Sequence, residues 1–280
     1  MIINRLVYIL QLEIRYNKLT MRIHSVSVSQ AGGFARFRLH GNLGTPEGRR
    51  RGGLRSLETH KRNGTGFNLL KPVASPRPSV ALAELLGILA GDGHIGKYQT
   101  TVTTNAKTDY EHAEYVASLF KKVFSVDAPL RQRRDENAVV VTVSSKEVGR
   151  LLVRKGMVMG HKIQGSLRMP AWVRLQKRFR DTFIRGLFDT DGCVYIDKHK
   201  IRGKEYKNIG LAFANRCLPL LADFKGTLLE YGLHPTQKTK YTVFLRREKD
   251  IYQYFSIFGS SNPKHMRKFE EYRSCKGGVA

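Results

Sequence analysis

The sequence predicts an α+β protein made of two similar halves related by a pseudo-twofold axis, preceded by a basic N-terminal extension. Three observations carry this. The 280 residues are 41% apolar, enough for one large domain or two small ones with their own cores. A helix–strand–helix–strand–helix order occurs twice, at a spacing of about 100 residues that is too long for a solenoid repeat. Lys+Arg is 49 against Asp+Glu 23, a formal charge of +26. That excess points to a polyanionic partner, nucleic acid first and an anionic membrane surface second.

Composition also excludes. An aromatic content of 10% argues against wholesale disorder. Cys193, Cys217 and Cys275 form no CxxC pair, so neither a zinc ribbon nor a disulfide scaffold is expected, and an intracellular, reducing home fits. No apolar run reaches the ~18 residues of a spanning helix. The apolar stretch Met1–Leu12 is broken up by Arg5 and Gln11, and no small-residue cleavage site follows it, so it does not read as a signal peptide.

Three segments follow: a basic extension with a Pro-rich linker over 1–78, a first half over 79–175 and a second over 176–280. In the extension, Thr45-Pro46-Glu47 starts a short helix, with Thr45 as N-cap and Pro46 at the first position. Arg49, Arg50, Arg51, Arg55, Lys61 and Arg62 make that helix basic. Gly32-Gly33-Phe34-Ala35-Arg36-Phe37 is faintly echoed by Gly52-Gly53-Leu54-Arg55-Ser56-Leu57, which reads either as two small DNA-contacting turns or as part of a solvated basic arm. Pro72–Pro78 reads as an extended linker.

In the first half, Ser79–Gly91 is a nearly all-apolar helix and Tyr98–Thr104 an alternating strand. Thr108 with Glu111 forms a capping box for a helix whose face carries Ala113, Val116, Phe120 and Val123. Leu130–Arg134 and Ala138–Ser144 make a hairpin turning at Asp135-Glu136-Asn137, and Ser144 with Glu147 caps the next helix. The second half repeats the order: a helix over Thr182–Asp189, a strand over Ile209–Ala214, a helix over Leu218–Tyr231, a strand over Tyr241–Arg246 and a helix over Asp250–Phe258.

The strongest local signal is a matched pair of helix ends, Leu85-Leu86-Gly87-Ile88-Leu89-Ala90-Gly91-Asp92-Gly93 and Ile184-Arg185-Gly186-Leu187-Phe188-Asp189-Thr190-Asp191-Gly192. A helical Gly costs roughly 1 kcal/mol relative to Ala, and Gly87 and Gly186 are explained if the two helices pack closely there. Gly93 and Gly192 suit the left-handed position past a helix. Asp92 and Asp191 then sit at helix carboxyl ends, where the macrodipole disfavours a carboxylate. Side by side, they make a site for a hard cation.

These two motifs resemble those of the LAGLIDADG homing endonucleases of the single-chain, two-motif type, with Ile184–Gly192 the closer match and Ala90 replacing the first acid of the other. The resemblance extends over roughly residues 80–272. It covers the strand ends at Asn105 and Asn215, the turns Gly160-His161-Lys162 and Gly259–His265, and the connector Met169-Pro170-Ala171-Trp172. It implies two αββαββα halves forming a saddle over double-stranded DNA, with Mg2+ (or Mn2+) under the paired helices and cutting across the minor groove. Asp92 and Asp191 are then the metal-binding acids, with the carbonyls of Gly91 and Thr190 completing the coordination. Lys162 and Lys264 neutralise the scissile phosphate, with Arg168 as an alternative in the first half. Asn105 and Asn215 stand beside the acids, or else cap strand ends.

Period-two spacing puts Arg131 with Arg133, and Lys238 with Lys240, each on one strand face, which in the saddle faces the major groove. Lys198, Lys200, Arg202 and Lys204 form a basic loop of phosphate contacts. The expected activity is an intron-encoded, monomeric, site-specific endonuclease acting in the cytoplasm, nucleoid or an organelle. The alternatives are an RNA-binding maturase whose partner is intron RNA, and a non-catalytic DNA-binding regulator. Retention of both acids favours the nuclease. A protein-splicing element is not expected, since splicing needs a nucleophile at its start and an Asn at its end. Nor is an HNH nuclease, because the histidines are scattered.

Overall fold

The computed structural model describes residues 28–41, 44–65, 73–133, 136–164 and 166–277. Met1–Leu12, Pro72 and the turn residue Asp135 lie outside them. By contacts the chain divides into two compact units, Met1–Leu69 and Leu70–Ala280.

The first unit holds two helices, α1 (Val28–His40) and α2 (Pro46–Asn63). α2 starts as its sequence dictates: Thr45 is extended, and its hydroxyl accepts from Gly48 N at 3.1 Å. Gly64 ends it at φ 64, donating back to His60 O and Lys61 O. The echoed glycine segments are not turns. Gly32–Phe37 lies inside α1 and Gly52–Leu57 inside α2. At Gly52–Leu57 the caps around α2 outweigh the local cost of glycine.

In the second unit each half is αββαββα. The first has α3 (Val80–Gly91), β1 (Gly93–Ile95), β2 (Thr100–Asn105), α4 (Tyr110–Phe124), β3 (Leu130–Arg133), β4 (Ala138–Val143) and α5 (Lys146–Arg154). A short α6 (Ala171–Arg174) lies in the connector. The second half has α7 (Lys177–Asp191), β5 (Gly192–Ile201), β6 (Lys204–Ala214), α8 (Leu218–Glu230), β7 (Thr236–Thr239), β8 (Thr242–Leu245) and α9 (Glu248–Ile257), then a final α10 (Pro263–Gly277). The two sheets are antiparallel and share one order, β1-β2-β4-β3 and β5-β6-β8-β7. This is the predicted α+β architecture.

One apolar core joins both halves, running from Leu82 and Leu85 in α3 through Val139 and Val141 in β4 to Phe183 in α7 and Phe213 in β6. α3 is its centre, which is why its sequence lacks an exposed face and why such a helix reads as apolar all round. Val73–Pro78 lies on this unit, with Val73 packed against the core, Pro76 buried and Ala74 N donating to Phe124 O at 3.2 Å.

The structure corrects several local expectations. The capping box at Thr108 does not form. Asp109 takes the N-cap position without capping, because its carboxylate is engaged across the molecule, and Glu111 pairs instead with Arg267 at 3.1 Å. The second box is displaced by one residue: Ser145 caps Val148 N at 3.3 Å, and Glu147 turns outward to Arg154.

The expected basic loop after Asp191 is a long hairpin. β5 and β6 stay in register to Ile201 opposite Lys204, around a two-residue turn in which Arg202 and Gly203 have φ 48 and 79. Positive φ at both centres is the turn whose twist matches flanking strands. Lys238 and Lys240 do not share a strand face. Lys240 lies in the turn after β7, and the β7–β8 register shifts between Thr236 and Thr239.

Candidate functional site

The site begins where α3 crosses α7. A Cβ on Gly87 would collide with the carbonyl oxygen of Phe183 and lie 2.9 Å from Leu187 N. One on Gly186 would collide with the carbonyl of Glu84 and lie 3.1 Å from Ile88 N. Backbone meets backbone at both points, the reason expected for these glycines. Gly91 in turn abuts the Thr190 side chain, whose hydroxyl donates to Leu187 O at 2.9 Å.

Gly93 and Gly192 have a different reason from the one expected. Gly192 has φ −91, and neither glycine is left-handed. A Cβ on Gly93 would lie 2.5 Å from Leu89 Cα, and one on Gly192 would strike the Phe188 carbonyl. The chain needs glycine there to leave the helix tightly against its last turn.

The crossing brings Asp92, the C-cap of α3, beside Asp191, the last residue of α7. Both are half-buried. Burial raises the Asp92 carboxyl above its ordinary value, opposed by Lys162, reinforced by Asp109 and opposed again by Lys264. Asp191 is pushed up to about 7, by burial first and by the charge of Asp92 second, against the Asn215 hydrogen bond and Lys162. A carboxylate whose neighbour is a second carboxylate is raised in this way.

Asn215 orients Asp191. Its Nδ2 donates to Asp191 Oδ2 at 2.7 Å, while its Oδ1 accepts from Cys217 N at 2.7 Å. Both alternatives read for this residue therefore hold at once. Asn105 acts only as a cap among the described residues, accepting from Lys107 N, Thr108 N and Asn137 Nδ2.

The two lysines have unlike surroundings. Lys162 Nζ donates to Gly91 O and, at 3.1 Å, to Ala90 O. Burial lowers its pKa, and Asp191 and Asp92 pull it back up. Lys264, near the start of α10, pairs with Asp109 at 2.7 Å. An open cleft of about 370 Å3 is lined by Asp92, Asn105, Asp109, Asp189, Thr190 and Lys264 among others. Arg168 lines a separate cleft with Arg174 and Asp223.

A polar seam joins the halves behind the acids, and sequence reasoning missed it. Arg185 grips Glu84 bidentately at 3.0 and 2.6 Å, and Ser261 donates to the same carboxylate. Asp189, pushed to about 7 mainly by burial, accepts from Ser260 Oγ and Ser261 N. Asn262 donates to Asp109 Oδ1 at 2.7 Å and to Asp189 O at 3.1 Å. A single Glu in the otherwise apolar α3 was the available signal. Asp109, between the expected cap Thr108 and the helix, carried none.

On the first sheet, Leu130 packs toward the core, so Arg131 and Arg133 share the outward face with Thr101, Thr103 and Asn105. On the second sheet, Lys198 and Lys200 continue the row of Val194 and Ile196, the core-facing side. The outward row is Tyr195, Asp197 and His199, opposite Gly210, Asn208 and Tyr206. Tyr195 lies over Gly210, and His199 stacks on Tyr206 at 5.8 Å. Alternation outward from Val194 was the sequence signal for this row.

The donors around Asp92 and Asp191 are hard oxygens, two carboxylates and the Gly91 carbonyl, and they suit a hard divalent cation. No cluster of three or more His, Cys, Asp or Glu side chains able to hold a metal occurs among the described residues. A cation here would therefore draw further oxygens from main chain, water or a phosphate.

Two helices delivering one acid each from equivalent halves are the arrangement the two motifs imply. Residues 178–271 match the family model of the LAGLIDADG-like domain, so the second half is a LAGLIDADG-like domain and the resemblance holds. Curated relatives include the tRNA-splicing ligase RtcB of Methanopyrus kandleri, 24% identical over 68% of this chain and 22% of the relative. The replication factor C small subunit of Methanocaldococcus jannaschii is 30% identical over 43% of this chain and 7% of the relative. The chain thus spans less than a quarter of their length. Similar solved structures include meganuclease I-SmaMI bound to uncleaveable DNA, with 11% identity, 70% of this chain and 97% of that one covered, and a TM-score of 0.46. Mesophilic variants of the homing endonuclease I-DmoI match at 17% identity, 65% and 97% coverage and a TM-score of 0.42.

Proposed function

We propose that the protein is a site-specific endonuclease cutting both strands of a long duplex DNA target, with Asp92 and Asp191 holding Mg2+ or Mn2+. The observation that supports it most is the pairing of these two acids, one from each half, in a partly buried site at the end of a crossing that the glycines Gly87 and Gly186 keep tight. Folding keeps two mutually repelling carboxylates together there, which helix stability does not require.

Asp92, Asp191 and the carbonyls of Gly91 and Thr190 would hold the cation. When bound, it lowers the pKa of a water and neutralises charge building on the scissile phosphate. Asn215 holds Asp191 in one orientation. The Lys162 ammonium lies beside both acids and can shift to a phosphate oxygen as the negative charge there is shared. Lys264, held by Asp109 at the cleft, supplies positive charge on the other side. Arg131 and Arg133, Tyr195 and His199 on the outward sheet faces read the duplex. Arg202 in the β5–β6 turn, Lys238 and Lys240 contact its phosphates, whereas Lys198 and Lys200 lie on the opposite sheet side and are not among the contacts. The protein acts as a monomer inside the cell, borne by an intron.

The test is magnesium-dependent cutting of a long randomised duplex library. The wild type should enrich one long cut site. Asp92→Asn and Asp191→Asn should each lose double-strand cutting while keeping duplex affinity within a few-fold. Cutting at the wild-type rate by either variant would remove its acid from the metal site. Selective binding without any cutting would favour the regulator, and preferential binding of intron RNA the maturase.

A further inference from the structure

α2 is specified at both ends, yet among the described residues no side chain packs over it. Every described residue from 31 to 65 is exposed, including Phe34 at 64%, Phe37 at 55% and Leu54 at 53%. Gly48, Gly52 and Gly53 within α2 each cost about 1 kcal/mol relative to Ala. A helix of this length and composition is marginal in water. Thr45, Pro46 and Gly64 nevertheless cap it fully. A helix with good ends, poor propensity and no buried face takes its stability from a partner's surface.

Charge identifies the partner. α2 carries Arg49, Arg50, Arg51, Arg55, Lys61 and Arg62 against Glu47 and Glu58, or 6 − 2 = +4. Arg51, Arg55 and Arg62 recur at i, i+4 and i+11, so they line one helix face over about 16 Å. Among the described residues no ion pair engages them. Beside them Leu54 and Leu57 make only a narrow apolar edge, smaller than the broad apolar face that lies in a lipid interface. A row of guanidinium groups spaced along one face suits the repeating phosphates of a nucleic acid strand.

We propose that α2 docks on the phosphate backbone of duplex DNA through Arg51, Arg55 and Arg62, as a nucleic-acid contact element additional to the sheets, ordered by the binding itself. The proposal rests on the endonuclease reading only for the choice of DNA as the duplex.

The experiment measures affinity of the full chain for a non-target duplex against salt, without any cleavage readout. Each neutralised phosphate contributes about 0.9 to the slope of log K against log salt. The Arg51→Gln, Arg55→Gln, Arg62→Gln variant should therefore flatten the slope by about 2.7. A control variant, Lys122→Gln, Lys249→Gln, Lys268→Gln, removes the same charge from exposed helix positions elsewhere and should leave the slope unchanged. Hydrogen exchange over 46–63 should slow when duplex is added to the wild type. An unchanged slope, equal flattening in both variants, or protection of α2 by phosphatidylserine vesicles or duplex RNA but not duplex DNA would overturn the proposal. A protein that binds through α2 but cuts nothing would overturn the nuclease reading alone.

Discussion

Glu84 is the one charged side chain inside a helix that is otherwise apolar, and it is 2% exposed. A buried carboxylate without a partner would be severely destabilising. Arg185, from the other half, supplies two charge-assisted hydrogen bonds, and Ser261 a third. Replacing Arg185 by Leu leaves Glu84 uncompensated and should cost roughly 3–5 kcal/mol. The double replacement Glu84→Leu, Arg185→Leu should recover much of that loss, as measured by urea unfolding. A double variant as unstable as the single one would show that the pair contributes more than its own neutralisation. The same logic explains why Asp109 abandons its helix N-terminus: Lys264 and Asn262 together satisfy it better than a backbone N–H does.

At the scale of elements, the crossing of α3 and α7 governs both fold and site. In an isolated helix, Gly→Ala would stabilise by about 1 kcal/mol. Here Gly87→Ala and Gly186→Ala each drive a methyl into a carbonyl of the partner helix, and overpacking of this kind costs about 1–3 kcal/mol or more. Both should lower the melting midpoint, and both should depress cleavage more than duplex affinity, because they spread the two acids. A raised midpoint would mean that the helices separate without loss. The β5–β6 hairpin shows the opposite case, where a two-residue turn at Arg202-Gly203 converts an expected loop into two long strands, along which alternation from Val194 puts Lys198 and Lys200 on the core-facing side.

For the whole molecule, the two units differ in what holds them. Leu70–Ala280 has a continuous core spanning both halves, whereas residues 31–41 and 44–65 of Met1–Leu69 bury no side chain. The heat-unfolding midpoint of residues 70–280 should therefore match that of the full chain to within about 2 °C, since a shift of that size corresponds to well under 1–2 kcal/mol for a domain of this length. A larger drop would show that the N-terminal unit contributes to the fold. A formal charge of +26 also predicts that duplex binding weakens steeply with salt.

The sequence by itself determined the repeated order of elements, the two motif helices, their packing glycines and the acids Asp92 and Asp191. Those signals are local: periodicity, caps and a glycine at a fixed distance from a carboxylate survive in one dimension. α10 was not legible, because its amphipathic pattern is weak and its identity comes from packing on the second half. Period two set Arg131 and Arg133 on one face, but only the structure decided where each strand ends and so which basic residues lie on strands at all. The two-residue turn extends β5 through Lys198 and Lys200, so strand alternation fixes their side, and the shifted β7–β8 register leaves Lys240 in a turn. Tertiary structure alone also decided the seam of Glu84, Arg185, Asp109, Asp189 and Asn262, whose members lie up to 177 positions from the residues they bond. Polar pairing across such a separation leaves no periodic trace, and only the closing of the two halves on each other brings those groups within hydrogen-bond reach.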